Sequence, residues 1–406
     1  MSKVTRRLLI SLPLATALPR ASRAQRGPLR IGVLNDQSSV FADSSGPGSV
    51  VSAQLAAEEF SAQTGMRIEV LAADHQNKAD VGSSIARDWF DRQGVHAVAD
   101  LGNSAVALAV STVARERDKV CLVSAGGTTL LTGAQCSPNT VQWTYDTYAQ
   151  TTALTQALIA DGKETWFFIS ADYTFGQSLQ DEATRALDRL GGKVLGAAKH
   201  PLNTMDFSAL LLQAQASGAK VIALANGGDD TGRCAKQARE FGLVPKQTLA
   251  GLSMLLTDAH AIGLDAAQGL LLTETFYWDL NDGTRAFSAR WSARNREREP
   301  TMIQAGVYGV VLHYLKAVHA LEGIPGGAAA VRQMKAMPTN DAAFGRGSIR
   351  ADGRKIHDNY VFRVKAPEDS KGPWDCYSLV RTVPGTAAFR PMEGGGCPLL
   401  AELARG

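Results

Sequence analysis

The residues of this chain that could do chemistry are hydroxyls, amides and aspartates that follow apolar segments, and they suit ligand binding better than catalysis. Apolar segment 31–34 runs into a polar loop and then into the glycines of segment 46–48, where a helix is predicted to begin. Such a loop presents backbone N–H groups to a small ligand at the edge of a parallel sheet. The same layout recurs in segment 166–176. We therefore expect two similar ligand-facing loops.

Motifs of the common enzyme classes are absent from the sequence. There is no G-x-S-x-G, no H-E-x-x-H, no Walker loop and no G-x-G-x-x-G after the first strand. The seven histidines are scattered, and we interpret His75 as a polar loop residue and His313 as a core or surface residue of a helix. The five cysteines show neither C-x-x-C spacing nor neighbouring histidines. We predict no enzymatic activity, no metal and no cofactor.

Length and patterning predict an α/β protein of two lobes. The 406 residues exceed the size, roughly 250–300 residues, at which one core stops growing. Short, continuously apolar segments alternate with helical ones, as in parallel sheets covered by helices on both faces. The predicted strands are 31–34, 67–71, 95–101, 119–124, 165–169, 193–197, 221–225, 268–273, 347–350, 360–364 and 377–382. The predicted helices are 50–60, 81–92, 105–116, 175–190, 207–216, 231–241, 286–297, 304–321 and 328–337.

Residues 1–24 are predicted to be an export signal. Arg6 and Arg7 precede an apolar run over 8–18, and small residues around Ala24 have the spacing that a signal peptidase reads. The run is shorter than the ~20 residues that span a bilayer. The paired arginines favour a twin-arginine route, and a general secretory route remains the alternative.

The charge of the chain depends on this leader. The leader holds five basic residues and no acids, so its removal changes the formal net charge from +3 to −2. A nearly neutral mature chain has no sequence-wide attraction to nucleic acid or to an anionic membrane. We therefore predict that the chain binds neither. With the export signal, we expect a soluble periplasmic protein, and we expect it to be a monomer.

The odd number of cysteines leaves at least one thiol unpaired or paired between chains. An exported protein can hold disulfides. Cys136 precedes a predicted crossing between the lobes, and Cys397 lies in a tail whose glycines let it fold back. We predict a Cys136–Cys397 disulfide, with Cys376 as the rival partner. Cys121 lies in an apolar segment and is interpreted as a buried small hydrophobe.

Several segments, taken in order, resemble the periplasmic solute-binding proteins of branched-chain amino-acid-type ABC transporters. These segments are 31–34, 46–48, 73–80, 124–128 and 168–176. Segments 277–281 and 350–355 further resemble a branch of that family associated with aromatic carboxylates. The resemblance covers nearly the whole mature chain, although no single motif in it is highly specific.

This resemblance implies the type I periplasmic binding fold, with two doubly wound, Rossmann-like α/β lobes joined by three hinge crossings. The crossings are expected near 141–148, 275–279 and 345–355. The expected parts are lobe 1 at 29–145 plus 280–345, lobe 2 at 146–279 plus 346–385, and a C-terminal tail at 386–406.

The resemblance also implies which residues hold the ligand. A carboxylate is expected to contact the loops after the third and fourth strands, at Asn103, Ser104, Gly126, Gly127 and Thr128. The alternative for Ser104 is a helix N-cap. A flat ligand body is expected to contact the aromatic side chains of Phe41, Tyr148 and Phe175, for which core packing is the alternative. Tyr277 either lines the cleft or stiffens the hinge.

Polar residues after a strand of the second lobe should face the far end of the ligand. Asn226 and Asp229 offer hydrogen bonds there, and the alternative for Asp229 is a cap on the next helix. Amino-acid-binding members carry an acidic residue that pairs with the ligand ammonium, where this chain has Leu252, Ser253 and Met254. A buried ammonium would lack its partner. The predicted ligand is therefore not an α-amino acid, unless Asp229 substitutes for that acid.

The predicted function is that of a receptor that binds a small organic acid, preferably aromatic, and delivers it to an ABC permease in the inner membrane. The ligand touches both lobes only when they close, so binding shifts the open–closed equilibrium. The alternative is a ligand-sensing module coupled to a signalling partner.

Overall fold

A computed structural model describes residues 27–244 and 246–403. The predicted export signal at residues 1–24 lies outside these ranges. Within them, no helix combines the length and the hydropathy needed to cross a membrane. The same ranges hold no group of three or more His, Cys, Asp or Glu side chains placed to bind a metal ion.

The first lobe is built on a sheet of five parallel strands in the order β2-β1-β3-β4-β5. The elements are β1 (Leu29–Asn35), α1 (Gly46–Thr64), β2 (Ile68–Asp74), α2 (Ala79–Asp91), β3 (Ala97–Asp100), α3 (Ser104–Glu116), β4 (Val120–Val123) and β5 (Thr140–Gln142). Every residue of β3 and β4 is buried, because helices cover both faces of the sheet.

The second lobe repeats this alternation. Its elements are α4 (Thr147–Ala160), β6 (Thr165–Ala171), α5 (Thr174–Leu190), β7 (Lys193–His200), α6 (Ser208–Ala216), β8 (Val221–Ala225), α7 (Asp229–Glu240), β9 (Thr248–Gly251), α8 (Leu256–Ile262), α9 (Leu264–Ala267) and β10 (Leu271–Glu274). The expectation of continuously apolar strands is wrong for β7, where exposed and half-buried residues alternate through most of the strand. The reason is that β7 is an edge strand with one neighbour.

The chain then returns to the first lobe and crosses once more. The remaining elements are α10 (Asp282–Ser292), α11 (Met302–Ala320), α12 (Gly327–Ala336), β11 (Thr339–Asp341), β12 (Gly345–Ile349), β13 (Lys355–Ile356), β14 (Asn359–Val364), β15 (Tyr377–Val383), α13 (Gly385–Ala388) and α14 (Pro398–Leu403). Helix α11 packs on α1, and strands β14 and β15 complete a seven-stranded sheet in the order β15-β14-β10-β9-β8-β6-β7. This architecture confirms the predicted fold class.

Arg354 joins two of the crossings. Its side chain is fully buried between the chain that leaves β5 and the chain that enters β13. The guanidinium donates to the carbonyl oxygens of Tyr145 at 2.7 Å, of Lys355 at 2.9 Å, and of Trp143. The carboxylate of Asp146 lies 3.8 Å away. The hinge is therefore held by a buried cation whose donors are used on backbone carbonyls.

A disulfide joins Cys136 to Cys397, with 5.5 Å between the two Cα atoms. It joins cysteines 261 positions apart in the sequence and fixes the C-terminal tail to the first lobe. The rival Cys376 is a buried free thiol, as are Cys121 and Cys234.

Reduction of this disulfide is expected to lower the free energy of unfolding by ~2–4 kcal/mol, because the unfolded chain regains conformational freedom. Urea denaturation with and without reductant measures the change. The double variant Cys136→Ala/Cys397→Ala is the control, since reductant should not destabilise it further. If reductant lowered the free energy of unfolding of the double variant equally, the effect of reductant would not come from the Cys136–Cys397 disulfide.

Candidate functional site

A cavity with an empty volume of about 380 Å³ lies between the lobes, and we call it the central cavity. It lies at the carboxyl ends of the strands, where parallel sheets bind ligands. Its lining residues are Phe41, Ser44, Ser45, Gly102, Ser104, Ala125, Tyr145, Tyr173, Phe175, Gly227, Gly228, Ser253, Leu255 and Ile303.

The loop after β3 is strained and delivers a free hydroxyl to this cavity. Asp100 and Leu101 have φ angles of 82° and 61°, which non-glycine residues rarely adopt. The Asn103 side chain caps α3 by accepting from the N–H of Ala105 at 2.9 Å. The buried hydroxyl of Ser104 has no hydrogen-bond partner. Asn103 therefore supplies the cap that was the alternative for Ser104, and the Ser104 hydroxyl is left for a ligand.

The loop after β4 shapes the wall of the cavity. Of its predicted residues, Gly126, Gly127 and Thr128 do not line the central cavity. The Gly126 carbonyl accepts from Gln142, and the Thr128 hydroxyl accepts from a backbone N–H in the following turn. A Cβ on Gly127 would lie 2.5 Å from the Tyr145 ring and 2.7 Å from the ring of Phe175. Glycine at this position therefore lets the two rings pack against the backbone of this loop.

Four aromatic rings line the cavity. Phe41 comes from the first lobe, and Phe175 lies 6.4 Å from Tyr145 and 6.2 Å from Tyr173, measured between ring centroids. The Tyr145 hydroxyl donates to the Ala125 carbonyl at 2.6 Å. The Tyr173 hydroxyl is buried and has no partner. The cavity thus combines aromatic faces with a second unused hydroxyl.

Two predicted aromatic residues do not line this cavity. The ring of Tyr148 lies against Arg189, 5.7 Å from the guanidinium carbon. Tyr277 is buried in the core of the second lobe, and its hydroxyl donates to the Trp374 carbonyl at 3.3 Å. Sequence reasoning missed Tyr145 and Tyr173, although both fall in segments that it had singled out. Neither segment indicates by itself which ring turns inward.

The loop after β8 contributes backbone rather than the predicted side chains. Asn226 is buried, with its amide 3.1 Å from the His200 ring and its oxygen 2.7 Å from the Thr231 hydroxyl. The half-exposed carboxylate of Asp229 forms an ion pair with Arg233 at 2.8 Å. The residues of this loop that line the central cavity are Gly227 and Gly228.

The two lobes are in contact around the cavity. A Cβ on Gly228 of the second lobe would lie 2.5 Å from the carbonyl oxygen of Val40 in the first. The hydroxyl of Thr129 in the first lobe donates to the Glu182 carboxylate of the second at 3.1 Å. The structure therefore represents the closed arrangement of the lobes.

The absence of charged side chains from the lining of the central cavity limits what it can bind. None of its lining residues, all of them described, is acidic or basic. Burial raises the pKa values of Tyr145 and Tyr173, so both remain hydroxyl donors. Of segment 252–254, Ser253 lines the central cavity and offers only a hydroxyl. An anion can be held by neutral donors, whereas an ammonium would lack a charged partner.

A family model described as periplasmic binding protein matches residues 28–373. The chain belongs to this family of periplasmic binding proteins. A crystal structure of a periplasmic binding protein from Burkholderia mallei is 41% identical, covers 92% of this chain and 99% of its own, and has a TM-score of 0.89.

Other solved structures connect the chain with ABC transporters. A branched-chain amino acid ABC transporter periplasmic ligand-binding protein from Burkholderia xenovorans is 38% identical, covers 91% of this chain and 99% of its own, and has a TM-score of 0.82. A solute-binding protein of an ABC transporter from R. palustris, in complex with benzoate, shares the fold at 16% identity, with 89% and 99% covered and a TM-score of 0.76. No curated protein sequence matches the chain.

Proposed function

We propose that this protein is the extracytoplasmic receptor of an ABC importer and closes on a small aromatic carboxylate. The observation that carries this proposal is the pair of unpartnered hydroxyls, on Ser104 and Tyr173, in a cavity lined by aromatic rings and without a charged side chain. A carboxylate would accept from these hydroxyls, while its ring packs among the aromatic side chains. The benzoate held by the R. palustris protein supports this ligand class.

Closure of the lobes links binding to transport. Both lobes contribute walls to the central cavity, so a ligand gains all its contacts only in the closed form. The closed form would then dock on the permease and release its ligand there. The export signal that the sequence predicts at residues 1–24 would place the protein in the periplasm, where it would act as a monomer.

The ligand class is tested by calorimetry on the mature protein with benzoate, 4-hydroxybenzoate and leucine. We expect an aromatic acid to bind at least about tenfold more tightly than leucine, because a buried ammonium without a partner is penalised. Ser104→Ala should weaken binding of the aromatic acid ~10- to 100-fold, through the loss of a hydrogen bond to a charged group.

Ser84→Ala, on the exposed face of α2, is the matched control and should leave the affinity unchanged. Tight binding of leucine without any response to the aromatic acids would refute the ligand class. An unchanged affinity of Ser104→Ala would exclude its hydroxyl from the carboxylate site.

A further inference from the structure

A second cavity, with an empty volume of about 710 Å³, adjoins the central cavity, and we call it the side cavity. Ser44 and Gly228 line both cavities. One wall of the side cavity comes from the first lobe at Val40 and Asp43, and the opposite wall comes from α7 and α8 of the second lobe. Since both lobes contribute walls, the side cavity is complete only when the lobes are closed.

Three carboxylates line the side cavity, and one of them has no cation beside it. Asp43 forms an ion pair with Arg298 at 3.0 Å, and Asp229 forms one with Arg233 at 2.8 Å. Asp258 is only 6% exposed and accepts a single backbone hydrogen bond, from the N–H of Leu255 at 2.8 Å. Burial raises its pKa to about 7, and the charges of the other two aspartates add to this. A cation in the side cavity would relieve this penalty.

An uncharged group in the same cavity also lacks a partner. The hydroxyl of Thr257 belongs to a side chain that is 6% exposed, and it makes no hydrogen bond with any described residue. Buried hydroxyls in native proteins are almost always paired with protein or water. Thr257 lines the side cavity, so its hydroxyl is available to a polar group that enters there.

Lys236 favours the opposite sign of ligand charge, but its position makes it the weaker determinant. Arg233 also lines the side cavity, but its guanidinium is already paired with Asp229 at 2.8 Å and with Asp230 at 3.3 Å. Lys236 lines the cavity from α7, and its side chain is exposed to solvent. An exposed ammonium stays hydrated and interacts weakly with a ligand. The buried carboxyl of Asp258 therefore decides the sign, and the side cavity favours a cationic hydrogen-bond donor.

We propose that the side cavity is the second compartment of the ligand site and takes a primary ammonium at the far end of an acid whose carboxylate lies in the central cavity. Asp258 and the Thr257 hydroxyl accept hydrogen bonds from that ammonium. This inference rests on the proposed function and narrows its ligand class to acids with a distal cation. Such a ligand differs from an α-amino acid, because its two charged groups lie in separate compartments.

The test is calorimetry on the mature protein with four probes of related shape. These are benzoate, 4-methylbenzoate, 4-(aminomethyl)benzoate and terephthalate. We expect 4-(aminomethyl)benzoate to bind about tenfold or more tightly than 4-methylbenzoate, as for a hydrogen bond between charged groups. Asp258→Asn should bring the ratio of these two affinities to about one. Thr257→Val should lower the ratio without removing a charge. It provides a second test of the inference in case Asp258→Asn misfolds.

Asp265→Asn, at an exposed position of α9, is the control and should keep the wild-type ratio. The inference would be overturned if the amino and methyl compounds bound with equal affinity, or if Asp258→Asn left the ratio of their affinities unchanged. In either case, binding of benzoate would leave the proposed function intact. The inference would also be overturned if terephthalate bound more tightly than 4-methylbenzoate and Lys236→Met abolished this preference. The side cavity would then bind an anionic group. If none of the four probes binds, the proposed function fails and the inference fails with it.

Discussion

Arg354→Met is expected to lower the free energy of unfolding by ~3–5 kcal/mol, the loss typical of breaking a buried charged network. The methionine fills a similar space but cannot donate to the carbonyl oxygens of Tyr145, Lys355 and Trp143, which the guanidinium now satisfies. Unpaired buried carbonyls each carry a desolvation penalty. The carboxylate of Asp146 also loses its nearest cation. Urea denaturation followed by circular dichroism measures the loss.

Arg381→Met is the matched control for this variant. Arg381 lies on the exposed strand β15, so its replacement should change stability by less than about 0.5 kcal/mol. A loss below ~1 kcal/mol in Arg354→Met would mean that water replaces the guanidinium at low cost. The hinge would then not depend on this side chain.

Gly228→Ala is expected to weaken binding of the ligand about 100-fold, because it prevents full closure of the lobes. Gly228 has a φ of 62° and a ψ of −143°, a conformation that is essentially restricted to glycine. Its added Cβ would lie 2.5 Å from the backbone oxygen of Val40 and 3.1 Å from the Phe41 ring. A backbone oxygen cannot rotate away as a flexible side chain can, so the lobes must separate. The calorimetric probe is benzoate.

Small-angle scattering gives a readout of closure that does not depend on knowing the natural ligand. The variant should show a larger radius of gyration than the wild type under conditions that close the wild type. Gly218→Ala is the control, because Gly218 also has a positive φ, 66°, but a Cβ there meets nothing within 4 Å. If both variants bind benzoate equally, the clash across the lobes has no part in closure.

The sequence by itself determined the fold class and the family. Apolar strands, helical periodicity and glycine turns are local patterns, and their order along the chain repeats that of a two-lobed α/β protein. It also indicated loops that face the cleft, because a loop after a parallel strand opens at the carboxyl edge of its sheet. Of the predicted ligand-binding residues, Phe41, Ser104 and Phe175 line the central cavity.

Only the tertiary structure decided which other side chains reach the cavity. Tyr145 precedes α4, where Asp146 caps the helix, and it points inward, whereas Tyr148 lies in the first turn and packs against Arg189. A shift of three residues across a helix start changes the surroundings of a side chain, and no local pattern records that change. Asp258 and Thr257 lie far from Val40 and Asp43 in the sequence. They line one cavity with them only because the two lobes close on each other. Local patterns specify elements and their order, but the burial and the partners of a side chain depend on contacts between segments that lie far apart along the chain.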